Sequence, residues 1–104
     1  MTEKMPSVSN TESVILEMLM EHDELYGLEM IAKNGTLKRG TIYVTLDRME
    51  DKGLVSSREV EPPAGSRGPS RRVYKLTGFG VRIAKARRIM AAAWSAERGI
   101  AGVV

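Results

Sequence analysis

The segment between residues 38 and 53 constrains the fold more than any other part of the chain, because its apolar side chains repeat with the period of an α-helix. Ile42, Leu46 and Met49 recur at i, i+4 and i+7, which is the spacing of one buried stripe. Gly53 follows the last of them, where a left-handed glycine often ends a helix. We therefore predict one amphipathic helix over Lys38–Gly53, with a second side that faces outward.

The outward side of this predicted helix is polar and begins at two cations. Lys38 and Arg39 lie at its N-terminal end, where the helix dipole favours anions. Cations there cost about a few tenths of a kcal/mol unless an external anion, such as a phosphate, binds beside them. The remaining outward positions are Gly40, Thr41, Val44, Asp47, Arg48 and Asp51. This arrangement is a first indication that the helix binds a polyanion.

Length and composition exclude several classes of protein. With 104 residues, of which 42% are hydrophobic and 28% charged, the chain fits one globular domain. The absence of cysteine excludes disulfides, thiolate metal sites and a thiol nucleophile. The longest apolar run, Ile89–Trp94, is too short to cross a bilayer, and residues 1–10 lack the apolar core of a signal peptide. We therefore expect a cytoplasmic protein with no membrane contact.

Charge is distributed unevenly along the chain. Residues 1–57 contain 6 Lys/Arg and 10 Asp/Glu, a balance of −4, whereas residues 58–104 contain 10 Lys/Arg and 3 Asp/Glu, a balance of +7. An acidic front and a basic back favour a polyanionic partner for one face. The alternative is a solvated basic surface with no partner.

The first helix is predicted after a polar N-terminus. Residues 1–8 should be irregular and frayed. Ser9 and Glu12 have the S-x-x-E spacing of a capping box, so the helix should run from there to about His22. Its predicted buried positions are Val14, Ile15, Met18 and Leu19.

A second helix is predicted from about Tyr26 to Asn34, after a polar break at Asp23 and Glu24. Its predicted buried positions are Leu28, Met30 and Ile31. Only residues 35–37 separate it from the third helix, and a short connection that contains glycine is typical of a helix-turn-helix. The same unit occurs in helical proteins that do not bind DNA.

A long hairpin is predicted after the third helix. Residues 54–60 and 71–76 are compatible with strands, and the segment 61–70 between them is rich in turn-forming Gly and Pro. A hairpin directly after a helix-turn-helix is a wing. Its tip and second strand carry Arg67, Arg71, Arg72 and Lys75 with no acid among them. Such a hairpin suits the DNA backbone or minor groove, although a basic hairpin can also be a sheet edge protected against aggregation.

The last predicted helix has a regular apolar seam. Thr77 can cap it, although Gly78 and Gly80 form helices poorly, and the helix should run to about Arg98. The seam consists of Phe79, Ile83, Ala86, Met90 and Ala93, widened by Trp94. The seam can pack against a second copy of the chain or cover the first helix of its own domain, and each can hold at a different end of the helix.

Three blocks of residues, in order and at fitting spacing, resemble the signatures of the PadR-like transcriptional regulators, which are winged-helix proteins of bacteria and their phages. The blocks are Tyr26–Met30, Gly40–Tyr43 with Leu46, Arg48, Met49, Glu50, Gly53 and Leu54, and Gly68–Thr77 with Gly80. Together they span about residues 14–86. Lys38-Arg39 stands where the family commonly has serine-proline, and Val44 stands where it often has proline.

The resemblance implies a homodimer that binds a palindromic operator, usually as a repressor, with the last helix as the dimer interface. It also implies that some members release DNA when a small aromatic molecule binds near that interface. In this chain the C-terminal part is a single helix, which leaves little protein to build such a pocket. Trp94 can stack on an aromatic effector or serve as an interface anchor.

The predicted DNA contacts divide into base-reading and phosphate-binding residues. Thr41 and Val44 can meet a thymine methyl group, and Arg48 can pair bidentately with guanine. Tyr43 can contact a phosphate or pack under the wing. The candidates for phosphates are Lys38, Arg39, Arg67, Arg71 and Arg72. His22, the only histidine, lies beside Asp23 and is expected at the surface, so neither a metal site nor a catalytic group is predicted.

These observations predict a mostly α fold with a small antiparallel β-hairpin (α+β). Residues 1–76 should form a winged helix-turn-helix DNA-binding domain with a three-helix core, and residues 77–104 a C-terminal dimerisation helix and tail, in one compact unit. The predicted function is a regulator of transcription that binds double-stranded DNA as a dimeric repressor, without cofactor or enzyme activity. The alternative is a winged-helix module that binds a protein partner and little or no DNA.

Overall fold

Four helices and a three-stranded antiparallel sheet make up the part of the chain that the computed structural model describes, which is residues 5–62, 64–65 and 71–103, the last seven as backbone only. The elements are α1 (Asn10–Glu21), β1 (Leu25–Tyr26), α2 (Gly27–Lys33), α3 (Arg39–Asp51), β2 (Val55–Val60), β3 (Arg71–Leu76) and α4 (Gly78–Val103). This arrangement is the predicted winged helix-turn-helix.

Local signals placed both ends of the first and third helices correctly. The Ser9 amide donates to the Glu12 carboxylate at 2.8 Å, and the Glu12 amide donates to the Ser9 hydroxyl at 3.1 Å, which confirms the capping box of α1. α3 ends at Asp51 with Lys52 as its C-cap, and Gly53 follows with a left-handed φ of 78°, as predicted. The Leu54 amide then donates to the Met49 carbonyl at 2.9 Å, so the last turn of α3 is closed by backbone hydrogen bonds.

The strand β1 was not predicted. Its two residues pair antiparallel with β3, Leu25 with Tyr74 and Tyr26 with Val73, so the sheet order is β1-β3-β2. A strand this short has no readable alternation, and only the pairing partner defines it. The predicted start of the second helix at Tyr26 is therefore one residue early, because the backbone of Tyr26 is extended.

The core lies between α1, α3, the sheet and the first turns of α4. Its fully buried side chains are Ile15, Leu16, Met30, Ile42, Leu46, Met49, Leu54 and Val55. The predicted stripe of α3 is confirmed, but the prediction for Leu28 is wrong, since that side chain is 48% exposed. α2 turns Gly27 and Met30 toward the core, and a helix rotates by about 100° per residue, so Leu28 faces away.

The N-terminal segment is held against the end of α3. Val8 packs on the core, and the Lys52 ammonium donates to the Ser7 carbonyl at 2.7 Å and to both carboxylate oxygens of Glu12 at 2.9 Å. Glu12 is only 3% exposed, so this ion pair joins α1 to α3 from inside the domain. Residues 5–8 are irregular as predicted, but Ser7 and Val8 are held rather than frayed, and residues 1–4 lie outside the described part.

The first turn of α4 is fitted closely against β2. The Thr77 hydroxyl accepts from the Gly80 amide at 2.9 Å and donates to the Gly53 carbonyl at 2.5 Å, which confirms Thr77 as the cap. A Cβ atom on Gly80 would lie 2.0 Å from the Leu54 carbonyl oxygen. Close backbone approach explains why α4 begins with a poor helix former there.

Candidate nucleic-acid interface

The exposed side of α3 presents three cations that have no acidic partner among the described residues. Lys38 and Arg39 begin the helix, Arg48 lies in its third turn, and none of them takes part in the ion pairs of the fold. By contrast, Arg58 pairs with Glu24 at 2.8 Å. The first turn of α3 contains no acidic residue. An anion from outside the protein would be stabilised here both by these charges and by the N-terminal end of the helix dipole.

Thr41 and Val44 share this exposed side with the cations. Both side chains are exposed, and Gly40 beside them adds no side chain to obstruct the approach of a large partner. The Thr41 hydroxyl lies 3.4 Å from the Lys38 carbonyl oxygen, a distance too long for a strong hydrogen bond, so it remains available as a donor or acceptor. Polar and methyl groups therefore alternate along the same surface.

Tyr43 packs against the start of α2 and also lies near Tyr74 of the wing strand β3. A Cβ atom on Gly27 would lie 2.8 Å from the ring carbon Cε1 of Tyr43, so the ring lies flat on the glycine at the start of α2. Glu29 helps to hold this start, since its carboxylate accepts from the Tyr26 amide at 2.8 Å. Part of the Tyr43 ring stays exposed, which leaves the edge of the phenol accessible from outside.

The acidic side chains of α3 lie partly on the side that faces the wing. Tyr43, Asp47 and Glu50 recur at i, i+4 and i+7, and Glu50 accepts from the Ser57 hydroxyl of β2 at 2.8 Å. Burial raises the pKa of the Tyr74 phenol on β3, and the nearby carboxylates of Asp47 and Glu50 add to the rise against the opposing charge of Arg72. Asp47 and Asp51 are both exposed, and both share the outward side of α3 with Val44.

The two arginines of β3 have different surroundings. The Arg71 guanidinium lies 5.6 Å from the centre of the Tyr26 ring, and no carboxylate of the described residues neutralises it. Arg72 donates to the Ser57 hydroxyl at 3.0 Å and lies 3.5 Å from the Glu59 carboxylate on the paired strand. Arg71 is therefore the more available cation. Arg67, the third predicted cation of the wing, lies outside the described residues.

The predicted seam of α4 changes its role along the helix. Ile83 belongs to the core of its own domain, and Phe79 packs on that core next to Gly53. The prediction is therefore corrected for Ile83, whose surface is covered within the chain, while Phe79 keeps part of its surface exposed. Ala86 is half-buried and Ala93 exposed, while Met90 is 59% and Trp94 62% exposed.

Ile89 belongs to the same exposed apolar surface but was missed. It is 70% exposed, and it lies off the strict spacing of the predicted seam. The uninterrupted apolar run Ile89–Trp94 was the signal that could have found it. We call the exposed apolar part of α4, residues 86–96, the overhang.

The described residues provide neither a metal site nor a membrane-spanning helix. Within the described ranges, no three or more His, Asp or Glu side chains are grouped so that they could hold a metal ion. None of the described helices combines the length and apolarity that a membrane span requires.

Comparison with known proteins identifies the family. The model of the transcriptional regulator PadR-like family matches residues 15–86. A PadR-like transcription factor from Bacteroides fragilis is 26% identical with a TM-score of 0.70, over 90% of this chain and 89% of that one. A PadR family transcription regulator from Clostridium difficile R20291 is 28% identical with a TM-score of 0.65, over 85% of this chain and 90% of that one.

A structure that contains DNA shares the fold. Bacillus subtilis PadR in complex with operator DNA has a TM-score of 0.67 and 23% identity, over 77% of this chain and 47% of that one. A search of curated proteins found no match. Because the family model covers more than half of the residues, this chain belongs to the PadR-like family of transcriptional regulators.

Proposed function

We propose that this transcriptional regulator binds double-stranded DNA sequence-specifically, as a homodimer on a palindromic operator, and represses transcription. The observation that carries the proposal is the exposed side of α3, where Lys38, Arg39 and Arg48 have no acidic partner and flank Thr41 and Val44. The cations can bind the phosphates that border a major groove. The small polar and methyl groups between them can contact the base edges inside it.

In this proposal α3 lies in the major groove and enters it with its N-terminal half. Lys38 and Arg39 bind phosphates, since they stand beside the exposed backbone amides of the first turn. Thr41 and Val44 contact thymine methyl groups, and Arg48 pairs with a guanine through its two parallel donors. Tyr43, braced against Gly27 of α2, places the exposed part of its ring near the DNA backbone.

The wing supplies sequence-independent contacts. Arg71 is suited to a phosphate or the minor groove because its charge is not neutralised. Arg72 can make the same kind of contact once it gives up its hydrogen bond to Ser57 and its ion pair with Glu59. The structure of Bacillus subtilis PadR with operator DNA supports a DNA-bound state for this fold. Regulation by binding requires no catalytic step, and under this proposal the protein acts in the cytoplasm, where its DNA target lies.

Dimerisation is assigned to the overhang. Ala86, Ile89, Met90 and Ala93 form an apolar strip beyond the core of the domain, with Trp94 at its edge. Two such strips packed about a two-fold axis remove this surface from water, and the alanines permit close approach of the two helices. Two-fold symmetry of the protein then requires a palindromic operator.

We also propose that a small aromatic molecule releases the protein from DNA. This second proposal depends on the dimer. The molecule would stack on Trp94 where the paired overhangs meet. Quenching of Trp94 fluorescence by planar aromatics, followed by loss of operator binding, is the expected result. A broad panel that leaves the fluorescence unchanged would count against an effector.

The test of the proposed function is selection of bound sequences from a random double-stranded DNA pool at about 150 mM salt. We expect a two-fold symmetric motif with half-sites about one helical turn apart. Binding without a motif would indicate an architectural role. No binding at all would favour the protein-interaction module.

A further inference from the structure

α4 leaves the domain at an angle that its last contacts with α1 hold. Beyond Ile83 and Ala84, which are buried in the core, the helix continues past the domain. Among the described side chains, Arg88 makes the last ion pair between α4 and the rest of the domain. Its Nε lies 3.0 and 2.9 Å from the two carboxylate oxygens of Glu17 on α1, and its Nη2 also donates to that carboxylate.

Apolar packing between the two helices is incomplete at this level. A cleft of about 160 Å³ lies between α1 and α4, lined by the buried Leu16 and by the small side chains Ser13, Ala84 and Ala91 among others. Small side chains across an unfilled cleft interlock poorly, so they permit one helix to tilt relative to the other. The Glu17–Arg88 pair spans this cleft and restrains that tilt, because a guanidinium bound through two nitrogens fixes direction as well as distance.

α1 is in turn joined rigidly to α3. The Lys52 ammonium at the end of α3 binds both carboxylate oxygens of the buried Glu12 at 2.9 Å. Ile15 and Leu16 of α1 lie in the same core as Ile42 and Leu46 of α3. The angle between α4 and α1 is therefore also the angle between the overhang and the helix proposed to read DNA.

A small change in this angle is large on the scale of DNA. From Arg88 to the end of α4 the helix rises about 22 Å, so a tilt of about 10° moves its end by about 4 Å. One base pair corresponds to about 3.4 Å along the duplex. We infer that the Glu17–Arg88 pair is a positioning contact that sets the spacing of the two operator half-sites. This inference rests on the proposed dimeric function.

The experiment measures affinity against half-site spacing. Operators from the selection are altered by inserting or deleting one base pair at a time between the half-sites, and each is titrated with full-length protein. We expect the wild type to lose about tenfold in affinity per base pair from the optimum, because DNA must be twisted or bent to fit. In the Glu17→Gln variant this loss should shrink to about threefold per base pair. The affinity of the variant for the operator of optimal spacing should fall less than affinity falls when any base of that operator is substituted.

Two further variants separate positioning from a general loss of charge. Glu24→Gln is the matched control, since it removes the carboxylate of an exposed ion pair with Arg58 that does not involve α4. It should keep the wild-type spacing profile. The double exchange Glu17→Arg with Arg88→Glu restores the pair in reverse and should restore the sharp profile.

Each outcome decides the inference. A Glu17→Gln variant with the sharp wild-type profile would overturn it while the dimeric function stands. Monomers of that variant in sedimentation would also overturn it, because the pair would then serve assembly rather than spacing. A wild type that binds all spacings equally would overturn the proposed dimeric operator binding as well.

Discussion

Replacing Gly80 by alanine should destabilise the protein, although alanine is the better helix former. Gly80 lies in the first turn of α4, and its backbone is not in the left-handed region, so alanine meets no conformational barrier there. On propensity alone the change should stabilise the helix by about 1 kcal/mol. The effect of the substitution therefore depends on the space around the new methyl group.

That space is already occupied by backbone. The added Cβ would lie 2.0 Å from the Leu54 carbonyl oxygen and 3.0 Å from its carbonyl carbon, whereas ordinary contact begins at 3.4 Å. α4 and β2 would have to separate by about 1.4 Å to relieve this contact. Such overpacking costs about 1–3 kcal/mol, and the shift would also disturb the buried Ile83. After the gain in propensity is subtracted, we expect a net loss of up to about 2 kcal/mol in the free energy of unfolding.

The measurement is urea unfolding at one fixed protein concentration, with the midpoint compared at an unchanged slope. Gly78→Ala is the matched control two residues earlier, where the nearest atom to a new Cβ is the Arg82 Nη1 at 3.8 Å. This variant should be neutral or stabilised by about 0.5–1 kcal/mol. If Gly80→Ala is as stable as Gly78→Ala, the argument from close backbone approach is refuted.

Four further results are expected. Arg48→Ala should cost about 1–3 kcal/mol in operator binding and relax preference at one base position; uniform weakening across sequences would make Arg48 a backbone contact. Arg71→Ala should weaken binding to all sequences alike and reduce the slope of log affinity against log salt by about 1, and an unchanged slope would exclude a phosphate contact. Met90→Glu should yield monomers in sedimentation, since it places a charge in the apolar strip, and an unchanged dimer mass would exclude the overhang as the interface. Burial alone would raise the pKa of Glu12, but hydrogen bonds from the Ser9 amide and Lys52 outweigh it and hold the pKa below the ordinary value of 4.5. Its contribution to stability is therefore complete above that value and lost as pH falls through the lowered pKa, so an acid titration of Glu12→Gln should show a smaller decline than the wild type.

The placement of the candidate site shows where sequence reasoning succeeded. The exposed side of α3 was readable because one helix of 13 residues carries its own period, so Ile42 had to face inward and Val44 outward. The hydrogen-bond partner of Arg72 could not be predicted in the same way. Its hydrogen bond to Ser57 depends on the register of β3 against β2, which pairs residues on opposite sides of a long turn.

α4 shows the same division within one helix. Its spacing correctly predicted a continuous apolar seam, yet periodicity cannot tell which part of a seam the domain itself covers. Ile83 is buried in the core where α1 packs against α4, while Met90 is exposed beyond it. The length of α1 and its packing against α4 decide that boundary, and neither is encoded in the residues of the seam.

The sequence by itself determined the features that arise from neighbours along the chain: the periods of α1 and α3, the capping box at Ser9, the left-handed end at Gly53 and the two long strands. The tertiary structure alone decided β1, the close approach at Gly80 and the ion pair between Glu12 and Lys52. The physical reason is the range of the interactions. Helix caps and side-chain periods act within a few residues, whereas strand pairing, steric fit and buried ion pairs join residues tens of positions apart, and those partners are defined only once the core has formed.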